Sequence, residues 1–280
     1  MHCRLSVIVA SYNYERFIGK VLDCLIGQTR KDFEVIIVDD GSKDSSVKII
    51  KEYVLNYRNL KLLQHQDGVN KGLSSTVQLG IKHSRGEYIA FCESDDFWEK
   101  DHVEHLYKFI DENPDAGMIY NRIKCINNSS YSNYDSYVEQ CNNLLLEHSG
   151  TNFFEKNFLE NWMPTFSAAC VKKELLSSCD FNSPIRPYLD FWLWRQICLK
   201  SKVYFVNNSI TLWNKHDASY DMTHNVSDIS QFIYNSNNLI IGRLLSHNEK
   251  LKYFDKIDSI ETVQNQIAYQ KEILKKYIEE

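Results

Sequence analysis

The sequence predicts an α/β protein built on a parallel, doubly wound sheet, and two observations carry this prediction. Over residues 5–92, short apolar runs typical of buried strands alternate with segments whose apolar residues recur at helical spacing. Polar clusters directly follow three of these apolar runs, and the carboxyl ends of parallel strands form the ligand crevice in such sheets. The chain of 280 residues, with 43% hydrophobic and 25% charged residues, is long enough for one large domain or two modest ones.

Four predicted strands joined by three helices make up the first part of the chain. In order, they are a strand at 5–10, a helix at 17–28, a strand at 33–38, a helix at 45–57, a strand at 60–64, a helix at 73–83 and a strand at 88–92. The first helix shows the pattern clearly, because Phe17, Val21 and Leu25 repeat every four residues. Such regular alternation of strands and helices favours a parallel sheet.

A second patterned region follows. It contains a helix at 99–112 that ends at Asn113 and Pro114, a strand at 118–126, a strand at 166–171, a helix at 188–199 and a strand at 203–212. Residues 127–143 are rich in Asn, Ser and Tyr, which predicts a long surface loop. From about residue 221 the chain is highly charged and has a helical pattern without any strand signal.

Three carboxylates, Glu93, Asp95 and Asp96, follow the strand at 88–92 immediately. Crowded acids repel one another, and a divalent cation that holds a diphosphate would compensate their charge. The alternative is an ordinary turn in which Asp95 or Asp96 caps a helix that begins near Glu99. The residues alone leave both interpretations open.

Composition excludes some classes of function. The formal net charge of −5 gives no support for nucleic-acid binding, which requires a basic face. The eight cysteines form no C-x-x-C pair and no metal-ligand spacing, which is typical of reduced cysteines in a cytosolic protein. The first apolar run is too short for a signal peptide, and no run of about 18 apolar residues predicts a membrane span. We therefore expect a cytoplasmic protein, with the inner face of the membrane as an alternative location.

Five motifs identify a resemblance to a known family. They are S-V-I-V-A-S-Y-N at 6–13, Q-T-R-K-D-F-E-V-I-I-V-D-D-G-S at 28–42, N-K-G at 70–72, G-E-Y-I at 86–89 and E-S-D-D at 93–96. In this order and at these separations they resemble the family-two inverting glycosyltransferases, which have the GT-A fold. The resemblance covers residues 4–105 well, thins to isolated motifs over 160–220 and is absent beyond. It implies a GT-A domain at 1–220, with a nucleotide-sugar-binding half at 1–98 and an acceptor-binding half at 99–220, before a helical C-terminal extension at 221–280.

The resemblance implies a set of nucleotide-binding residues. They are Ala10, Ser11, Tyr12, Asp40, Asn70, Lys71, Glu93 and Ser94. Asp40 resembles the acid that accepts the imide N–H of the base, which favours a uracil nucleotide, and its alternative role is to cap the helix after Ser42. Lys71 could meet a phosphate or be solvated. Glu93 stands at the first position of the family's D-x-D motif, where its longer arm could reach the ribose or a metal ion.

The same resemblance implies a metal site and a catalytic base. Asp95 matches the acid that holds Mn²⁺ or Mg²⁺. His216 resembles a histidine that some members add to the metal or the diphosphate, and its alternative is a plain surface or core residue. We assign Asp96 to the helix cap. Asp190 matches the general base, although Leu189 replaces the glutamate that usually precedes it. Nearby aromatic residues would desolvate Asp190 and raise its pKa, whereas the alternative is an acid favoured by the dipole of its helix. Trp162 and Trp192 fall where acceptor pockets are built and are assigned to acceptor binding, and the alternative for Trp162 is a core residue.

The expected function is a metal-dependent inverting transferase of the hexosyltransferase type. It would move a sugar from a nucleotide-diphosphate donor, a UDP-sugar by preference, to a hydroxyl of a saccharide or lipid-linked saccharide in bacterial surface polysaccharide or glycoconjugate synthesis. One alternative is a nucleotidyltransferase acting on a sugar phosphate, although residues 11–14 lack the glycine such enzymes carry after the first strand. Another is an inactive nucleotide-sugar-binding relative, which would be expected to lose Asp95 or Asp190.

The segment from about residue 228 to 280 carries apolar residues at helical spacing and so needs a surface to cover. Three surfaces are open: the chain's own catalytic domain, a homodimer interface, or a peripheral contact with a membrane that holds a lipid-linked acceptor. The many acids of the segment weigh against the membrane, because anionic lipid favours a basic face.

Overall fold

The computed structural model describes residues 3–126, 133–159, 161–182 and 189–216, and these residues form an eight-stranded sheet. Its strands are β1 (Leu5–Ser11), β2 (Glu34–Asp39), β3 (Leu60–Gln64), β4 (Tyr88–Phe91), β5 (Phe97–Trp98), β6 (Met118–Ile126), β7 (Ala169–Lys172) and β8 (Val203–Asn214). Their order across the sheet is β3-β2-β1-β4-β7-β6-β8-β5. Strands β1 to β4 run parallel to one another and β6 runs parallel to β8, whereas β7 and β5 are antiparallel to their neighbours. The predicted α/β class with a mostly parallel sheet is confirmed.

Helices flank this sheet. They are α1 (Ile18–Ile26), α2 (Ser46–Asn56), α3 (Leu73–His83), α4 (His102–Glu112), α5 (Asn133–Glu147), α6 (Phe154–Leu159), α7 (Lys173–Ser177) and α8 (Leu189–Lys200), with a short 3₁₀ turn at Phe166–Ala168. Helix α1 buries Ile18, Val21, Leu22 and Leu25, the stripe that its sequence spacing predicts. Complete burial of one such side chain contributes about 1.5–3 kcal/mol.

The core is concentrated around β1 and β2, in the middle of the parallel part of the sheet. Every residue of β2 is buried, as expected for a strand covered on both faces. Helix α3 approaches β1 closely at Gly80, where a Cβ atom would lie only 2.8 Å from Ile8 Cγ2. This tight packing fixes the carboxyl ends of the central strands, where the predicted site residues lie.

Three local predictions are wrong. The loop predicted at 127–143 is helical from Asn133 onward, because Val138, Cys141 and Leu145 form a buried stripe. The strand predicted at 166–171 begins only at Ala169, since the preceding residues form a 3₁₀ turn in which Ser167 N donates to Thr165 Oγ1. The helix predicted from residue 99 begins at His102, because β5 comes first and pairs with β8.

The predicted extension at 221–280 lies outside the described residues. Within the described part of the chain, no helix is long and apolar enough to cross a bilayer.

Candidate active site

Loops that follow three neighbouring parallel strands meet at one edge of the sheet. Ser11 at the end of β1 lies beside Asp39 at the end of β2, and β4 ends on the other side of β1. The amide of Asp40 donates to the carbonyl of Ser11 at 2.8 Å, and the hydroxyl of Ser94 donates to the carbonyl of Ala10 at 2.6 Å. The sheet therefore brings four of the predicted nucleotide-binding residues together.

Asp40 is buried and holds the loop that precedes α3. Its Oδ1 accepts a hydrogen bond from Lys71 N at 2.7 Å, and its Oδ2 accepts one from Gly72 N at 2.9 Å. His65 Nε2 lies 3.4 Å from the same carboxylate. These bonds place the loop that carries Asn70 against Asp40.

The alternative role of Asp40, a cap for α2, is wrong, because the N-cap position of α2 is Ser45 and both carboxylate oxygens of Asp40 accept from the loop before α3. Asp39 Oδ1 accepts from the amides of Gly41 and Ser42, and Asp44 Oδ1 accepts from Ser46 N at the start of the helix.

The side chains of Tyr12, Asn70 and Lys71 are exposed at this edge. The Lys71 ammonium lies 3.1 Å from Asp67 Oδ1, so it is paired at the surface and lies close to Asp40 through its backbone only. Tyr12 has 43% of its surface accessible, which leaves its ring available to a ligand.

Glu93 and Asp96 share contacts with the segment before β7. The Thr165 hydroxyl lies 2.7 Å from Glu93 Oε2 and 3.1 Å from Asp96 Oδ2, and Glu93 N donates to Ser167 Oγ at 2.9 Å. Asp96 Oδ1 also accepts from Asn214 N at 2.9 Å. Asp96 is thus 1% exposed and joins the acid cluster to β8, so its predicted role as a helix cap is wrong.

Electrostatics in this cluster favour a cation. Burial, and then the charges of Asp96 and Asp95, raise the pKa of Glu93 well above its usual range. Burial and the charge of Asp95 likewise raise the pKa of Asp96 to about 7. Carboxylates that resist ionisation because they are crowded and desolvated are stabilised in their charged form by a bound cation.

Asp95 faces His216, which follows β8. His216 Nε2 lies 2.9 Å from Asp95 Oδ2, and both side chains are 15% exposed. An octahedral ion with ligand distances of about 2.1 Å places adjacent ligand atoms about 3.0 Å apart, so the pair fits two neighbouring positions on Mn²⁺ or Mg²⁺. In the described part of the chain no three His, Cys, Asp or Glu side chains are arranged as a complete metal site. A two-residue site is the type that substrate phosphates and water complete.

Asp190 lies in the first turn of α8 and is 8% exposed. Burial raises its pKa to about 6, whereas hydrogen bonds from the Phe191 amide and from Asn161, whose Nδ2 lies 3.4 Å from Asp190 Oδ2, act in the opposite direction. The charge of Asp190 contributes to the raised pKa of Glu93, so the two carboxylates are close enough to interact. This environment suits a carboxylate that must be both ionised and basic near neutral pH.

The two predicted acceptor-binding tryptophans differ in exposure. Trp162 is half-buried, and its amide donates to Asn157 Oδ1 at 3.1 Å. Trp192 is 1% exposed, and its indole N–H donates to the carbonyl of Asp180 at 2.6 Å. Trp192 is therefore a core residue and presents no ring face to an acceptor, because α8 packs inward along most of its circumference.

Sequence reasoning missed several residues of this site. Tyr14 and Phe17 contact Asp95 and His216, and Ser167 anchors the backbone of Glu93. Tyr14 lies in a polar turn and Phe17 belongs to a helical stripe, so each has a complete local explanation. Only the second tyrosine of the S-Y-N-Y turn offered a signal, since an aromatic residue is unusual for a turn at a strand end.

The comparisons with known proteins agree with this geometry. The family model described as Glycosyl transferase family 2 matches residues 6–172. The chain therefore belongs to glycosyltransferase family 2, and the resemblance seen in its motifs is confirmed.

Among curated relatives, glycosyltransferase GlyA of Streptococcus pneumoniae serotype 4 is 42% identical over 110 residues, which cover 39% of this chain and 15% of GlyA. Glycosyltransferase GlyG of the same organism is 27% identical over 233 residues, covering 77% of this chain and 72% of GlyG. A cholesterol galactosyltransferase of Borreliella burgdorferi is 30% identical over 215 residues, covering 73% of this chain and 58% of the relative. The aligned part of the chain thus covers 15%, 72% and 58% of the full length of these three relatives.

Solved structures share the fold. Residues 1–349 of TarS from S. aureus, in complex with UDP-GlcNAc, superpose with a TM-score of 0.66 at 20% identity, covering 88% of this chain and 69% of that structure. The mannosyltransferase PcManGT from Pyrobaculum calidifontis, in complex with GDP-Man and Mn²⁺, gives a TM-score of 0.57 at 18% identity, covering 79% and 59%. The predicted GT-A fold is confirmed.

Proposed function

We propose that this chain is a metal-dependent inverting glycosyltransferase that moves a sugar from a nucleoside-diphosphate donor to an acceptor hydroxyl, with UDP as the preferred carrier. One observation carries the proposal. His216 Nε2 lies 2.9 Å from Asp95 Oδ2, and Glu93, in the same acid cluster, is close enough to buried Asp190 for the charge of Asp190 to raise its pKa. The site thus offers a place for a cation and a separate base. The nucleotide-sugar complexes of TarS and PcManGT support a donor of this class.

The nucleotide would lie over the ends of β1 and β2. Asp40 already accepts two backbone hydrogen bonds, and a carboxylate has further lone pairs with which to accept the imide N–H of uracil. Ala10 and Ser11 would contact the base mainly through their backbone, and the exposed ring of Tyr12 could stack on it. Glu93 and Ser94 follow toward the ribose. Asn70 and Lys71 complete the outer wall of this pocket.

Asp95 and His216 would hold the divalent ion. When bound there, the ion neutralises the diphosphate that leaves as the glycosidic bond breaks. Their mixed oxygen and nitrogen ligand set favours Mn²⁺ over Mg²⁺, because Mg²⁺ is bound chiefly by oxygen.

Asp190 would act as the general base. Its carboxylate takes the proton of the acceptor hydroxyl while that oxygen forms a bond to the anomeric carbon. The bond from the anomeric carbon to the donor phosphate breaks on the opposite face, and the nucleoside diphosphate leaves. The configuration is therefore inverted.

The acceptor would be a saccharide or lipid-linked saccharide of a bacterial surface polysaccharide or glycoconjugate. Trp162, which is half-buried, remains available to line the acceptor pocket. We place the protein in the cytoplasm or at the inner face of the membrane, where nucleotide sugars and lipid-linked acceptors meet. Contact with the membrane, and dimerisation through the segment beyond residue 221, belong to this proposal.

A donor screen tests the proposal. The full chain is incubated with UDP-glucose, UDP-galactose, UDP-N-acetylglucosamine or GDP-mannose and Mn²⁺, and released nucleotide is measured with and without EDTA. We expect release of UDP from at least one UDP-sugar, and its loss in EDTA. Formation of pyrophosphate from UTP and a sugar phosphate would instead identify a nucleotidyltransferase, and binding without release would identify an inactive relative.

A further inference from the structure

One turn between β1 and α1 contacts both members of the Asp95–His216 pair. The amides of Phe17 and Ile18 both donate to the carbonyl of Tyr14, at 3.0 and 2.9 Å, so the turn is closed by its own backbone. The amide of Tyr14 donates to Ser46 Oγ at 2.9 Å, which fixes the turn to the start of α2. Because the backbone is held at both ends, the side chains of Tyr14 and Phe17 have defined directions.

Phe17 stacks on the imidazole of His216. The ring centroids are 4.5 Å apart and the ring planes differ by 25°. A stacked ring restricts rotation of the imidazole, and the direction that remains points Nε2 at Asp95 Oδ2, 2.9 Å away. Phe17 immediately precedes α1, and the first residue of that helix, Ile18, is fully buried and so holds Phe17 in place.

Tyr14 contacts the other member of the pair. Burial and then the charge of Asp95 raise the pKa of its half-buried phenol, so the phenol lies near that carboxylate, and the ring lies 6.2 Å from that of Phe17. A phenol beside the carboxylate limits the rotamers open to Asp95, as the stack limits those of His216. The backbones that carry Asp95 and His216 are already joined by the bond from Asn214 N to Asp96 and by the pairing of β5 with β8, so Tyr14 and Phe17 act on the side-chain rotamers of the pair.

We propose that Tyr14 and Phe17 are positioning residues that hold Asp95 and His216 at the separation a divalent ion requires. The inference rests on the proposed function, because it assumes that this pair binds the ion. Neither residue would contact the ion or the sugar. Their effect is to make the site ready before the ion arrives, which strengthens metal binding rather than the chemical step.

Metal affinity is the direct readout. Mn²⁺ is titrated into the full chain in the presence of UDP, and free Mn²⁺ is measured by electron paramagnetic resonance. Tyr14→Phe removes only the hydroxyl, and we expect the apparent Kd for Mn²⁺ to rise about tenfold. Phe17→Leu removes the ring, and we expect a rise of about threefold to tenfold. Phe17→Tyr keeps the ring and should restore wild-type affinity.

Tyr53→Phe is the matched control. The Tyr53 hydroxyl also donates to a carboxylate, Asp23 Oδ1 at 2.7 Å, and lies 3.1 Å from the Gly19 carbonyl, so it joins α2 to α1 without contacting Asp95 or His216. Its removal should leave the Mn²⁺ affinity unchanged. Turnover measured against Mn²⁺ concentration adds a second test: for Tyr14→Phe, saturating Mn²⁺ should restore kcat, whereas damaged folding would lower kcat at every concentration.

The outcomes separate the two proposals. If wild-type protein with UDP binds Mn²⁺ and both Tyr14→Phe and Phe17→Leu bind it equally well, the positioning role is overturned and the proposed function stands. If wild-type protein with UDP binds no Mn²⁺, the metal-dependent function fails and the positioning role fails with it. A loss of affinity in Tyr53→Phe equal to that in Tyr14→Phe would also overturn the positioning role.

Discussion

Asp95 is the residue on which metal dependence should rest. Asp95→Asn keeps the size of the side chain but removes its charge, and the chain should lose metal-stimulated turnover by roughly 10³-fold, since a bound ion contributes several kcal/mol to such reactions. The measurement is release of nucleotide over a range of Mn²⁺ concentrations. Asp101→Asn, at an acid that precedes α4 without capping it through its side chain, is the control and should behave as wild type. Wild-type turnover by Asp95→Asn would contradict the assignment.

Asp190 should set the acidic limb of the pH profile. Its pKa of about 6 lies above the usual aspartate value because of burial, and the base must be ionised, so activity should rise as the pH increases through about 6. Asn161 stabilises the ionised carboxylate, so Asn161→Leu should raise the pKa and shift this limb to higher pH. The profile of kcat against pH measures both effects. A limb near pH 4 in the wild type would mean that another group is titrating.

Asp190→Asn gives an independent check of the base. It removes the proton acceptor while keeping the shape of the side chain, and the rate should fall about 10²–10⁴-fold. Calorimetry should find UDP affinity unchanged. If UDP affinity falls while bound donor is still turned over, Asp190 is a binding residue.

At the scale of elements, one glycine determines how closely β1 and β4 approach. A Cβ atom at Gly86 would lie 2.5 Å from Ser6 N and 2.7 Å from the carbonyl carbon of Leu5, and backbone atoms cannot move aside as a side chain can. Gly86→Ala should therefore destabilise the chain by about 3 kcal/mol, at the upper end for overpacked sites. Gly19→Ala is the control, because its Cβ would meet nothing closer than 3.7 Å and alanine favours the helix. Denaturant unfolding of both variants measures the difference, and equal stabilities would contradict the steric argument.

The elements that the sequence predicts well are those with one clear period. The helix at 73–83 and the strands at 60–64 and 118–126 have the predicted bounds. Helix α5 was missed because polar residues surround its three buried apolar positions, and Asn142, which looks like a loop residue, bonds to both the amide and the carbonyl of Ile123. Hydrogen bonds between a side chain and the backbone of a distant segment cannot be predicted from the spacing of apolar residues in the sequence.

The candidate site also contains some residues that the sequence pattern could place and others that only the packing of distant segments determines. The residues at the ends of β1, β2 and β4 could be placed from sequence, because parallel strands bring their carboxyl ends together. The core position of Trp192 and the contacts of Tyr14 and Phe17 could not be predicted, since each depends on which face of an element packs against another segment, 12 positions away for Trp192 and 199 for Phe17.

At the scale of the whole molecule, the two halves assigned to donor and acceptor share one sheet. Strand β4, in the first half, pairs with β7, and β5 pairs with β8, both from the second half. A fragment of residues 1–98 would expose the buried edge of β4, so we expect it to aggregate or to melt without cooperativity. Circular dichroism and light scattering, with the full chain as control, measure this. A monomeric fragment with a cooperative transition would show that the first half folds independently.

The pairing of Asp95 with His216 also has a consequence for biosynthesis. The two side chains are separated by 121 residues, and Asp96 accepts its bond from the amide of Asn214, close to the end of that interval. During translation, the chain carries the aspartate long before the histidine has been synthesised, so the ion cannot template the early steps of folding. Contacts of such large sequence separation are slow to form. If the pair binds a divalent ion, that ion should therefore bind only after β8 has docked onto the sheet.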